Sequence, residues 1–289
     1  MKTISGVYRA PGQHWVGDGF PVRSLFSYND HGRLLSPFLL LDHAGPAHFE
    51  PAEKPRGVGE HPHRGFETVT LVYAGEVDHR DSSGGGGHIG PGDVQWMTAA
   101  AGVVHEEFHS PAFTRRGGEL EMVQLWVNLP ARDKMNPPRY QTLLKTQIPE
   151  LTLADGQATL RVIAGEYAGA TGPAMTHTPL NVWDLRMQTG GELSLDVSAG
   201  HTLAVVVLHG DITLNDEEAV HDSEMAVFRR EGESFRVRAD SDSTLLILSG
   251  EPIDEPVVGY GPFVMNTRED IMQAISDFNN GDFGRLPAQ

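Results

Sequence analysis

The chain has 289 residues, 39% of them hydrophobic, with no cysteine and a formal net charge of -17. That length buries one large core or two medium ones, and the missing cysteines exclude disulfides, thiolate ligands and thiol nucleophiles. So acidic a surface repels phosphate backbones and argues against direct nucleic-acid binding.

In chain order, MKTISGVYRAPGQHW has neither the apolar core nor the cleavage site of a signal peptide. No later apolar run reaches membrane-spanning length. A cytoplasmic protein is therefore expected, with no membrane partner. Short apolar segments follow at 36–46, 66–76, 117–130, 202–211 and 243–252, each bounded by Gly, Pro, Asp or Asn. Their length and richness in Val, Leu and Ile predict strands, and their regular spacing predicts a sandwich or barrel. The Pro-rich stretch Asn136-Pro137-Pro138 marks a boundary between residues 1–136 and 137–289. The join extends as a segment through Gln141 to Glu150, and the stretch AGEYAGATGPA beyond it reads as a surface loop. The last element is a helix from Thr267. Ile271, Ala274, Ile275 and Phe278 share one face, Thr267 is placed to cap it, Glu269 and Asp270 suit its positive end, and Asn280-Gly281 closes it.

The two halves repeat weakly. Aligning Gly75 with Gly210 superposes similar strand patterns. His61 and His63 then fall on Asp196 and Ser198, and His201 falls on Phe66, so the second half reads as the same fold without the ligands.

The chemistry concentrates in the first half. His61-Pro62-His63 precedes a predicted strand, and residues i and i+2 of an extended segment project to one face. His105-Glu106-Glu107 repeats that logic, so that His61, His63, His105 and Glu107 converge on one point. Between the pairs, Gly90-Pro91-Gly92-Asp93 is a turn and VQWMT a strand. Three imidazoles and a carboxylate suit one divalent transition metal: Fe(II), Mn, Co, Ni, Cu or Zn. An octahedral ion so held keeps two positions open for chemistry. His14, His31, His43, His48, His79, His88, His109, His177 and His221 read as surface or satisfied core residues. On the strand through Gln124 and Trp126, alternate residues face a barrel interior, and Phe49, Phe66 and Met97 read first as core.

The stretches HPHRGFETVTLVYAGEVDHRDSSG (61–84), GPGDVQWMTAAAGVVHEE (90–107) and LEMVQLWVNLP (120–130) resemble the pirin proteins of the cupin superfamily. GDGFPVRSLF near the start and GEPIDEPVVGYGPFVMNTRED near the end extend the resemblance over nearly the whole chain. It implies an all-β protein of two jelly-roll-like cupin barrels packed face to face, ending in an α-helix. It implies a metal in the N-terminal barrel only, iron as the usual ion, and His61, His63, His105 and Glu107 as its ligands. Glu67 would lie beside the ligands rather than among them. Ala99-Ala100-Ala101-Gly102 replaces a Gly-Arg-Gly-like stretch, and the run Gly84–Gly87 is unusual.

Some pirins suggest quercetin 2,3-dioxygenase activity. A flavonol or similar cyclic enol would be activated at the metal, Glu107 would take its proton, dioxygen would add, and carbon monoxide would leave. Two other readings stand beside this enzyme: a metal- or redox-responsive regulator that binds a transcription factor or metabolic enzyme, and a small-molecule binder with a structural metal.

Overall fold

The computed structural model describes residues 1–287. The chain forms two compact units, each a seven-stranded antiparallel sheet facing a four-stranded one, as the strand periodicity requires. The expected all-β architecture with a C-terminal helix is what the chain adopts. Among the described residues, no helix is long and apolar enough to cross a membrane.

One unit comprises residues 12–24, 39–145 and 253 onward. Its large sheet runs Arg139–Leu143, Val94–Thr98, Phe66–Ala74, Gly118–Asn128, Phe38–Phe49, Phe20–Ser27, His14–Val16. Its small sheet runs Gly57–His63, Val103–His109, Val77–Asp81, Gly86–Ile89. Phe20, Val22, Val72, Val77, Ile89 and Met122, drawn from both sheets, pack into one core. The other unit comprises residues 1–11, 25–38 and 146–252. Its main core cluster is apolar, with Leu160, Val162, Trp183, Leu203, Val205, Phe235 and Ile247 fully or almost fully buried.

This division corrects the boundary expected between 1–136 and 137–289. The reason is strand pairing, which satisfies backbone groups regardless of sequence distance. Ile4–Arg9 adds an edge strand to Glu224–Phe228, with Val7 opposite Ala226, and so belongs with the later unit. Arg139–Leu143 pairs with Val94–Thr98, which moves the changeover to 145/146, inside the Gln141–Glu150 segment. Residues 253–287, helix included, belong with the unit that carries His61. The stretch read as a loop at 164–174 contains a small hairpin, Glu166–Tyr167 with Ala170–Thr171.

The helix runs Arg268–Asn280 and starts where the sequence places it. Thr267 Oγ1 accepts from the Asp270 amide at 3.1 Å, and Asp270 returns a bond to the Thr267 amide at 3.0 Å. Gly281 closes it in the left-handed conformation, at φ 84°. Ile271 and Ala274 are buried against Val104, Phe263, Met265 and Phe283.

A buried lysine fastens the C-terminal segment to the loop after His63. Lys134 Nζ donates to Gly65 O (2.6 Å), Asn128 Oδ1 (2.7 Å) and Val264 O (2.9 Å). Replacing Lys134 with Met strands three buried acceptors. The expected loss is about 3 kcal/mol of unfolding free energy, measured by urea denaturation followed by circular dichroism.

Candidate metal centre

Two adjacent strands build the site. Gly57–His63 carries His61 and His63, and Val103–His109 carries His105 and Glu107. They pair antiparallel, with His105 opposite His61 and Val103 opposite His63. The register slips between His105 and Glu107, so Glu107 lies opposite Val58, a local irregularity of the kind that re-aims side chains near sites. Gly57 is required here because a Cβ on it would collide with the Glu107 carbonyl.

The three imidazoles converge as expected. Ring centroids of His61, His63 and His105 are 4.2–4.9 Å apart, and a ligand nitrogen from each lies within 4.8 Å of the others. Each Nδ1 has a partner: Gly59 O for His61 (2.8 Å), Pro262 O for His63 (3.4 Å) and His79 Nδ1 for His105 (3.2 Å). The Nε2 atoms of His63 and His105 are buried and have no hydrogen-bond partner among the described residues. Burial first, and the neighbouring imidazoles second, hold both rings well below the usual histidine value. Both rings are therefore neutral near pH 7, and a neutral imidazole with a free Nε2 lone pair is what a metal ion takes. The residues present fit such an ion.

Glu107 enters the site through a second group. Its carboxylate lies within 4.8 Å of His79 and His105 nitrogens, so His105 is common to both groups. Three donors fix it: Thr70 Oγ1 (3.3 Å) and Gln95 Nε2 (3.0 Å) to Oε1, and Gln124 Nε2 (2.9 Å) to Oε2. His61, Glu107 and Gln124 line one cavity of about 30 Å³, walled also by Val16, Phe20, Val22, Val58, Met122 and Asp42.

His79 is the residue that sequence reading missed. It is buried at van der Waals range of His105, with ring centroids 5.0 Å apart, and is no isolated core histidine. The available signal was the pair His79-Arg80-Asp81, another i, i+2 arrangement on a strand. Gln124 and Trp126 do face the interior: the Trp126 ring lies 5.3 Å from His63 and 4.3 Å from Phe66. Glu67 does not flank the ligands. It hydrogen-bonds Thr98 Oγ1 at 2.7 Å, whereas Thr70 and Gln95, on alternate positions of the same two strands, reach Glu107. Strand alternation therefore puts Glu67 on the opposite face. His88 pairs with Asp78 at the surface, His109 Nε2 donates to Gly19 O, and Met97 packs with Ala99 and Val103. The Ala99–Gly102 turn grips the ligand strand. Ala100 O accepts from the Gly65 amide (2.8 Å) and Ala101 O from Arg64 Nε (2.6 Å), with Ala100 at φ 43°.

Residues 19–127 match the family described as Pirin, and residues 182–284 match the Pirin C-terminal cupin domain. A Pseudomonas aeruginosa protein named "Putative quercetin 2,3-dioxygenase" is 61% identical over 285 residues, covering 99% of each chain. The chain belongs to the pirin family. Human Pirin is 38% identical over 256 residues, covering 86% of this chain and 83% of its own. A crystal structure of quercetin 2,3-dioxygenase from Acinetobacter baumannii superposes with a TM-score of 0.97 at 56% identity, covering 98% of this chain and 99% of that one. Both units are thus pirin cupin barrels, and the His/Glu cluster of the first can hold a metal ion.

The buried imidazoles make a signed prediction. A folded-state value below the ordinary histidine 6.5 means that the unfolded chain binds these protons more readily. Their contribution is therefore complete above pH 6.5 and is lost as pH falls below it. Metal-free protein should lose unfolding free energy below pH 6.5, by at most about 1.4 kcal/mol per pH unit for each ring. Burial raises Glu67 to about 7, and that acts oppositely, lowering stability as pH rises from 4.5 to 7. Comparing wild type with the His63→Ala/His105→Ala variant, by denaturation from pH 5 to 7, isolates the imidazoles.

Proposed function

We propose that this pirin is a metal-dependent dioxygenase that opens flavonols or related cyclic enols with O2. The observation that carries the reading is the pair of buried, unpartnered Nε2 atoms on His63 and His105, set beside His61 and a carboxylate facing a cavity. The names of the Pseudomonas and Acinetobacter relatives support the substrate class.

His61, His63, His105 and Glu107 would hold the ion, with Fe(II) favoured over Mn, Co, Ni, Cu or Zn. When bound it supplies Lewis-acid and one-electron chemistry for an enol and dioxygen. The protein's own residues do the remainder. Glu107 receives the enol proton at Oε2, where Gln124 is the neighbouring donor. Thr70 and Gln95 keep Oε1 fixed, so the carboxylate does not swing away as it takes the proton. Trp126 and Phe66 pack against His63 and hold its ring in place. Val16, Phe20, Val22, Val58 and Met122 keep bulk water from the cavity.

The cavity's size bears on the substrate. About 30 Å³ accommodates a water or a dioxygen molecule, so a three-ring flavonol does not fit within it as it stands. The same small cavity is the one observation that favours the second reading, a metal-responsive regulator that binds a transcription factor or metabolic enzyme instead of turning over a flavonol.

Fe(II)-loaded protein given quercetin in air should bleach the substrate, consume one O2 per molecule and release carbon monoxide. His63→Ala should abolish turnover and lower iron content with the fold retained. Glu107→Gln should lower kcat by about 10²-fold or more. Iron uptake without turnover of quercetin or smaller cyclic enols would sink the dioxygenase reading and leave the regulator.

A further inference from the structure

Behind the ligand set lies a chain of buried polar groups that the proposed reaction does not use. Asp81 Oδ1 accepts three hydrogen bonds, from the Ser83 amide (2.8 Å), Ser83 Oγ (2.6 Å) and the Gly85 amide (3.0 Å). Its other oxygen, Oδ2, faces His79 Nε2 at 3.1 Å. His79 Nδ1 faces His105 Nδ1 at 3.2 Å. His79, Asp81 and His105 are all buried. Tyr140 stacks on His79, with centroids 4.9 Å apart and planes 18° apart.

We propose that Asp81 and His79 are positioning residues that set the tautomer of His105 and so keep its Nε2 open for a metal ion. This rests on the metal reading above. The argument is one of donors and acceptors. A carboxylate only accepts, so the proton on the Asp81–His79 bond belongs to His79 Nε2. Gln95 Nε2, an N–H donor 3.2 Å from His79 Nδ1, requires a bare lone pair there. The nitrogen facing it, His105 Nδ1, must supply the hydrogen, since two lone pairs 3.2 Å apart would repel. His105 is therefore protonated at Nδ1 and bare at Nε2, which is the buried atom without a partner. Metal-bound histidines are ordinarily oriented by a carboxylate or carbonyl directly. Here an imidazole is interposed, and the carboxylate acts through it.

The surroundings agree. Tyr140 Oη donates to Gln95 Oε1 at 3.1 Å, which turns the Gln95 amide nitrogen toward Glu107 Oε1 and His79 Nδ1. Both faces presented to His79 Nδ1 are thus donors. Gly85 belongs to the same device: a Cβ there would strike the Asp81 carboxylate and Tyr140. The four-glycine run, unusual in the sequence, is at this residue a close fit.

The geometry makes Asp81→Asn a tautomer switch. Three donors already point at the Oδ1 position, so the amide oxygen must sit there and the NH2 must face His79. His79 Nε2 becomes an acceptor, Nδ1 takes the proton and donates to His105 Nδ1, and His105 is left protonated at Nε2. Long-range ¹H–¹⁵N NMR on metal-free, ¹⁵N-labelled protein reads this directly. Wild type should show His105 protonated at Nδ1, and Asp81→Asn should show it at Nε2. Co(II) affinity, titrated by visible absorption, should fall about 10–100-fold in Asp81→Asn. In His79→Gln the new side-chain oxygen accepts from His105 Nδ1 without help, so adding Asp81→Asn to that background should cost no further affinity. An unchanged His105 tautomer in Asp81→Asn, or an equal affinity loss in both backgrounds, overturns the relay while Co(II) binding by wild type keeps the metal reading. Failure of wild type to take up Co(II) overturns both.

Discussion

The site depends on the register between two neighbouring strands. With His105 opposite His61 and Val103 opposite His63, three imidazoles on one face are drawn to a common point. A one-residue slip would turn each of these side chains outward, because side chains alternate with period two. The irregularity after His105 then brings Glu107 round beside His79, Gln95 and Gln124. Neighbouring strands impose this register through backbone hydrogen bonds. The imidazoles are therefore gathered by the sheet, which compensates the cost of crowding neutral rings in a buried place.

Comparison of the two barrels shows how little separates a site from a plain core. Under the alignment of Gly75 with Gly210, Thr68 and Thr70 of the first barrel correspond to Leu203 and Val205 of the second. Thr70 holds the carboxylate of Glu107, whereas Leu203 and Val205 join an apolar cluster with Trp183, Phe235 and Ile247. At these positions one barrel buries polar groups that need partners, and the other buries apolar area alone.

The first barrel is also closed by residues far away in sequence. Pro262 O is the partner of His63 Nδ1, and Arg64, next to His63, bonds Asp277 Oδ2 at 2.7 Å and lies over the Phe283 ring. Lys134 adds the Gly65–Val264 tie. These contacts make the C-terminal helix part of the site's support. They also carry the shape of one ligand strand across 199 residues of chain.

Local pattern settled much of this protein in advance. Strand alternation, the two i, i+2 pairs, the Thr267 cap and the Gly281 stop depend on residues within a few positions of each other, and the chain's own periodicity encodes them. Their outcome in space follows wherever the strand lies. Tertiary structure alone decided the rest. That Ile4–Arg9 pairs with Glu224–Phe228, that the final helix serves the first barrel, and that His79 faces His105 all depend on which strands become neighbours. Backbone hydrogen bonds can join any two extended segments, so partner choice is a property of the packed whole and leaves no mark at the residues it brings together.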